Sequence, residues 1–347
     1  MRHIFTAAVL AAAVLMAVFP VVCAADEEKV TGELFAMDTI MTLTAYGQNA
    51  EAGIKAAEDE IHRLDALLST GSEESEVSEI NRRSAEGKLK TVTLSEDSSA
   101  LMKESLQLYE DTDGAFDITV YPLMQLWGFT SGNYHVPTEE ELREVMRKVG
   151  ADGISYDEET REAAFSKKGM EIDFGGIAKG YTSSRIMDVF RDAGVTSALV
   201  SLGGNVQVLG TKPEGKLWKI GIQNPAGDGT FLGILETADE AVITSGGYER
   251  FFEENGTVYH HILDAATGRP ARSGLASVTI VSGDGMLADG LSTALFVMGK
   301  EKAADYWKAH NGDFQMVLYT EDGKLYATEG LKDSLSSDLE VEYIHCG

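Results

Sequence analysis

The strongest constraint on the fold is the irregular order in which helix-like and strand-like patterns follow one another. Ile54, Ala57, Ile61, Leu64 and Leu68 recur at three- and four-residue spacings, which puts them on one face of a helix. Met102, Leu106 and Tyr109 mark a second helix. Thr138 and Glu141 form a capping-box pattern ahead of Leu142, Val145, Met146 and Val149, a third. Ile186, Val189, Phe190 and Ala193 mark a fourth, closed by Gly194 because glycine accepts the left-handed conformation at a helix end. Paired strand is predicted over Leu34–Tyr46, and single strands at Ala198–Leu202, Lys219–Gln223, Ala241–Thr244 and Val278–Val281. A last helix spans about Ala288 to Met298 and stops at Gly299. These elements do not alternate in steady strand–helix–strand units, so the expected class is mixed α+β rather than a doubly wound sheet. No solenoid or propeller period appears and no low-complexity linker divides the chain. Residues 25–347 therefore read as a single catalytic domain, although the tail from Leu331 to Gly347 carries no pattern of its own.

The first residues belong to a different category. Met1, Arg2 and His3 give a basic start, Ile4 to Val22 an almost unbroken apolar run, and Cys23, Ala24 and Ala25 a small-residue exit before Asp26. That is the pattern of an export signal, expected here over residues 1–24 with cleavage after Ala24. A membrane anchor or a lipid on Cys23 is the competing outcome. Either way the protein is expected outside the cytoplasm, in the periplasm or at the outer face of the cytoplasmic membrane. Cleavage leaves Cys346 as the sole cysteine, which excludes an internal disulfide and a zinc–cysteine site.

Charge narrows the ligands. With 56 Asp and Glu against 29 Lys and Arg, the formal net charge is −27, which repels nucleic acid and anionic lipid. It also repels a phosphorylated ligand, so a phosphate site must bring local positive charge. A metal ion is the obvious supplier.

Four constellations can carry chemistry. Asp173-Phe174-Gly175-Gly176-Ile177-Ala178-Lys179-Gly180 precedes the fourth helix. Its glycines permit close backbone approach, the helix start offers unpaired N–H groups, and Lys179 can neutralise a phosphate. A purely structural glycine turn is equally common. Gly114-Ala115-Phe116-Asp117 leads to Leu126-Trp127-Gly128-Phe129, where an exposed Asp117 beside aromatics can grip a heterocycle. A capped turn with core aromatics is the plainer reading, and the physics favours it. His260 and His261 lie before Leu263 and Asp264, and adjacent strand residues point to opposite faces, so one of them at most reaches a given site. A histidine there can act as a general base. Asp289 and Thr293 are four apart on the last helix and share a face. Their oxygens are the hard ligands Mg²⁺ prefers, while a simple helix cap is the alternative role for Asp289.

Taken in order, these segments resemble the ApbE family of FAD:protein FMN transferases. The blocks that carry the resemblance are Met37-Asp38-Thr39, the Gly-Ala-Phe-Asp to Leu-Trp-Gly-Phe segment, Asp173 to Gly180, Thr244-Ser245-Gly246 through His260-His261-Ile262-Leu263-Asp264, and the Ala288 to Leu295 helix. The match runs from about Phe35 to Gly299. It implies a bilobed α+β fold with FAD in the cleft, lined by Met37, Ala115, Phe116, Asp117, Asp173, Lys179 and Leu263. It further implies Mg²⁺ on Asp289, Thr293 and the Gly176 carbonyl, with His261 as base and Lys179 as the second catalytic residue. The implied reaction moves FMN from FAD to a threonine of a target flavoprotein, often a respiratory electron-transfer subunit, and releases AMP. Two departures stand out. Gly71 occupies a position where family members often carry an aromatic ring, and Ser292 one where some carry a second acidic ligand. An FAD pyrophosphatase, with water as acceptor, and a non-catalytic flavin-binding or trafficking protein are the rival readings.

Overall fold

The computed structural model describes residues 28–88, 91–310 and 312–346; the expected export signal, Cys23 included, lies outside them. Among the described residues nine strands form the main sheet: β1 Lys29–Ala36, β2 Thr39–Tyr46, β3 Ala198–Leu202, β4 Asn205–Leu209, β5 Ala241–Gly246, β6 Leu275–Ser282, β7 Gln315–Thr320, β8 Leu325–Thr328 and β9 Val341–Ile344. Their order across the sheet is their order along the chain. Every neighbouring pair is antiparallel except β8 and β9, which run parallel. The fold is thus one long meander with everything else inserted between consecutive strands, and its class is α+β as the element order predicts.

Strand alternation explains how this sheet serves two cores. Along β5, Ala241 and Ile243 face the helices, whereas Val242 faces a second, three-stranded sheet. In β7, Met316 and Leu318 take the helix side and Val317 the other. Both faces are covered, so these strands read as apolar runs. The second sheet comprises Trp218–Gln223, Phe231–Thr237 and Leu335–Ser336. It seals the far face with Trp218, Ile220, Ile222, Leu232 and Leu235.

On the near face lie the helices α1 Ala50–Leu68, α2 Ala178–Asp192 and α3 Gly285–Met298. All five residues of the first predicted apolar stripe are buried on α1. The capping box at Thr138 and Glu141 forms with both reciprocal bonds, but its helix ends at Met146 and leaves Val149 outside. The tail that carried no legible pattern supplies β9 and the Leu335–Ser336 strand. Among the described residues three α-helices escaped the periodicity reading, Glu76–Ala85, Tyr121–Leu126 and Lys300–Ala309, each too short to set a clear period. The last predicted helix begins earlier than Ala288. Asp284 caps it by accepting from the N–H groups of Met286 and Leu287, so Asp289 is not its cap. No helix among the described residues is long and apolar enough to cross a membrane. Cys346 is free and exposed.

Candidate functional site

The site is assembled where α2 and α3 cross. A β-carbon on Gly180 would lie 2.1 Å from the Gly285 carbonyl oxygen, and one on Gly285 would lie 2.7 Å from the Gly180 oxygen. Glycine at both positions lets the two backbones touch. That approach brings Asp289 of α3 to the first turn of α2, whose own cap position, Ile177, has no side chain able to accept a hydrogen bond. Asp289 takes over the role from the neighbouring helix: its Oδ2 accepts from the Gly180 N–H at 2.7 Å. Its Oδ1 accepts from Asn205 Nδ2 at 2.9 Å. The carboxylate is buried, and burial raises its pKa, against which Lys179, the Gly180 N–H and Asn205 stabilise the charged form.

One turn further along α3, Thr293 meets the other end of the glycine segment. A β-carbon on Gly176 would sit 3.8 Å from Thr293 Oγ1 and 3.2 Å from the Phe116 ring. Ser245, at the end of β5, lies 2.7 Å from Ser292 Oγ and 3.2 Å from Thr293 Oγ1. The segment Gly176–Gly180 therefore runs beside one turn of α3, with Thr293 at its start and Asp289 at its end.

The turn itself is held from several sides. Asp173 Oδ1 accepts from the Gly175 N–H at 2.8 Å, and the Asp173 N–H donates to the Ile118 carbonyl at 2.8 Å. Just upstream, the Asn81 side chain pairs with both backbone groups of Ile172 at 2.8 Å, acting as a substitute strand partner. Burial raises the pKa of Asp173, and the Gly175 N–H, Arg250 and Lys179 oppose that rise. Lys179 also acts on Glu249, whose carboxyl burial likewise raises. The charge of one lysine thus favours the ionised forms of Asp173, Glu249 and Asp289.

Of the two histidines only one is available. His260 is buried and its Nε2 donates to the Ala271 carbonyl at 3.0 Å. His261 is half-buried, and its Nδ1 lies 3.2 Å from the Arg250 carbonyl. A carbonyl can only accept, so Nδ1 carries the proton and Nε2 keeps its lone pair. Burial, then the charges of Arg250 and Lys179, push its pKa down to about 3. Phe129 meets the His261 ring edge-on with centroids 6.4 Å apart.

The remaining predicted residues divide. Met37 and Asp38 form the two-residue turn between β1 and β2, with φ of 47° and 59°. Such hairpin turns favour Asn-Gly, so a methionine there is held by packing, and Met37 indeed touches both the α1 and the α3 core. Ala115 is half-buried, and Phe116 is buried against the Gly176 turn. Asp117 is not exposed and takes the capped-turn role that the local physics favours. Its carboxylate is buried and accepts from the Thr119 N–H at 2.7 Å, from Thr119 Oγ1 at 2.6 Å and from the Ala151 N–H at 3.3 Å. Trp127 is likewise fully buried and donates through Nε1 to the Gly268 carbonyl at 2.8 Å. Leu263 packs in the same cluster as Trp127, Phe129 and Phe252, beneath the hairpin that ends at His260. This block is a support for the His261 segment rather than an open stacking surface. Gly71 is exposed.

Asn205, Ser245, Glu249 and Arg250 join the site without having been predicted. Ser245, Glu249 and Arg250 lie within the segment from Thr244 to Asp264, whereas Asn205 follows a glycine pair and carries no local signal. A depression of about 420 Å³ lined by Glu139, Leu142, Arg143, Met146, Ala266 and Thr267 contains none of the site residues.

A mixed α+β protein that gathers a lysine, a buried carboxylate and a row of hydroxyls at a glycine turn has close relatives. The model of the ApbE family matches residues 37–318, and the chain belongs to that family. Among similar proteins, the FAD:protein FMN transferase of Vibrio cholerae is 32% identical over 308 residues, 86% of this chain and 91% of that one. A Klebsiella pneumoniae protein of the same name is 36% identical over 243 residues, 70% of this chain and 74% of that one. The solved structure of the ApbE protein of Thermotoga maritima superposes with a TM-score of 0.81 at 34% identity, covering 88% of this chain and 99% of its own. The flavin transferase ApbE from Vibrio cholerae gives 0.79 at 28% identity, covering 89% and 99%.

Proposed function

We propose that this chain is an FAD:protein FMN transferase, which moves FMN from FAD to a threonine hydroxyl of a target flavoprotein and releases AMP. The observation that carries this reading is the meeting of the Gly176–Gly180 turn with Thr293 at one end and Asp289 at the other, under the charge of Lys179. Family membership and relatives of that name support it.

The donor set fits Mg²⁺. A carboxylate, a hydroxyl and a backbone carbonyl are hard oxygen ligands, and among the described residues no three His, Cys, Asp or Glu side chains converge. An ion with so few protein ligands is one that completes its shell with phosphate and water. Asp289, Thr293 and the Gly176 carbonyl would hold it, and when bound it neutralises phosphate charge during the transfer.

The chain's own residues account for the rest. The acceptor threonine oxygen forms a bond to the phosphorus of the FMN half while the P–O bond to the AMP half breaks, and AMP departs with that electron pair. The hydroxyl proton goes to His261 Nε2, the free nitrogen of a ring oriented by the Arg250 carbonyl. The approaching pyrophosphate adds negative charge beside this histidine and raises its proton affinity. Lys179 and the N-terminal turn of α2 favour the phosphate anion in an otherwise acidic protein. We further propose that the protein works outside the cytoplasm on a respiratory electron-transfer subunit.

Purified protein, FAD, Mg²⁺ and a threonine-bearing acceptor should yield covalent FMN-protein and AMP by mass spectrometry. An acceptor that stays unmodified under those conditions argues against the assignment. A second reading, hydrolysis of FAD by water, is favoured by one observation: a β-carbon on the exposed Gly71 would meet only Ser69 Oγ, at 3.7 Å, within 4 Å. AMP release that is equally fast without acceptor would select hydrolysis. In that case Gly71→Tyr should slow it by placing a ring where none stands.

A further inference from the structure

We propose that Asn205 is a positioning residue, whose amide orients the Asp289 carboxylate for a divalent cation. The inference rests on the Mg²⁺-dependent reading above. Asn205 opens β4 directly after Gly203 and Gly204, whose φ values of 64° and 98° make the tight turn that joins β3 to β4. Pairing of Leu202 with Asn205 closes that turn and sets which face of the sheet the amide takes. Asn205 is only 4% exposed, yet it sits on a strand among apolar residues. A buried amide in such a place needs a partner, and the partner it has is the one carboxylate of the proposed metal site.

The geometry is that of a carboxylate clamped by two different elements. Helix α2 holds Oδ2 through the Gly180 N–H at 2.7 Å, and strand β4 holds Oδ1 through Asn205 at 2.9 Å, while α3 carries the side chain. Rotation about the last bond of an aspartate is soft, with broad wells, so one hydrogen bond alone would leave the second oxygen free to swing. With both oxygens anchored the plane is fixed, and each oxygen keeps a further lone pair for a cation. Gln207, two residues on and therefore on the same face, steadies the strand against α2, its Oε1 accepting from Ser183 Oγ at 2.6 Å. Partners of metal ligands of this kind typically change metal affinity by about 10- to 100-fold when removed.

The test compares the full chain with Asn205→Ala and Asn205→Ser by two measurements. The first is the rise in melting temperature of the FAD-free protein as Mg²⁺ alone is added. The second is the Mg²⁺ dependence of AMP release at saturating FAD. In both, the half-saturating Mg²⁺ concentration should rise about tenfold or more, with kcat returning towards that of the parent at high Mg²⁺. Two results would overturn the inference. One is half-saturation within about twofold of the parent in a variant that melts cooperatively without Mg²⁺. The other is a loss of kcat that excess Mg²⁺ leaves unrestored. Should Asn205→Ala fail to melt cooperatively, Asn205→Ser, which keeps a small polar group, carries the same two criteria. A parent protein that turns over equally well without Mg²⁺ removes the proposed function and this inference together. A Mg²⁺-dependent parent with unmoved variants removes the inference alone.

Discussion

Asp289 has two roles that substitution can separate. As the acceptor for the Gly180 N–H and for Asn205 Nδ2 it completes the start of α2, and as a carboxylate it supplies negative charge to a cation. Asp289→Ala leaves two buried donors without an acceptor, each worth about 1–3 kcal/mol. Asp289→Asn has the same shape and keeps an oxygen for Gly180, while the Asn205 amide can turn over to present its own oxygen to the new NH₂ group. We therefore expect Asp289→Ala to be less stable than Asp289→Asn by about 2–4 kcal/mol, the lower part of the summed range because the site relaxes. Burial raises the pKa of Asp289, so in the metal-free protein its contribution is fully present at pH below the ordinary aspartate value. That contribution is lost as pH rises through the higher folded value. Asp289→Asn removes this loss and should match or exceed the parent's stability at neutral pH without metal. Urea unfolding in EDTA measures all three proteins. Neither variant should turn over. A gap between Ala and Asn below about 0.5 kcal/mol would refute the idea that α2 is capped from α3.

Four further outcomes follow from the same geometry. Gly180→Ala drives a methyl group to 2.1 Å from the Gly285 oxygen and should cost more than about 3 kcal/mol in unfolding experiments, whereas Gly176→Ala, with contacts no closer than 3.2 Å, should cost about 1 kcal/mol. His261 has its pKa pushed down to about 3, so kcat/KM should show no acid limb between pH 5 and 8 attributable to it; a limb near 6.5 that disappears in His261→Gln would contradict this. The same depression means that His261 adds stability above the ordinary histidine value and loses it as pH falls towards 3, a loss that His261→Gln should lessen in acid unfolding curves. Lys179→Met should raise KM for FAD more than it lowers the melting temperature, which steady-state kinetics beside thermal unfolding will separate.

Much of this protein is legible one segment at a time. The apolar stripes of α1 and α2, the capping box at Thr138, and β3 and β5 follow from local spacing, because a buried face imposes its period on the residues that build it. So does the glycine turn at Asp173–Gly180, and the order of such blocks is enough to reveal the family. Short polar helices such as Glu76–Ala85, and the tail strand β9, are invisible at that level since their few apolar residues set no clear period and they gain their stability by docking. The same distinction runs through the site. Asp117 and Asp289 are alike as letters, each an aspartate beside a glycine or an aromatic, and either can be read as a cap or a ligand. Only the folded chain turns Asp117 inward onto Thr119 and carries Asp289 across to Gly180. It also brings Asn205 to that carboxylate from 84 positions away in the chain. Backbone periodicity is a local property and is written in neighbouring residues, whereas a hydrogen bond between distant elements depends on where the whole meander sets its helices down.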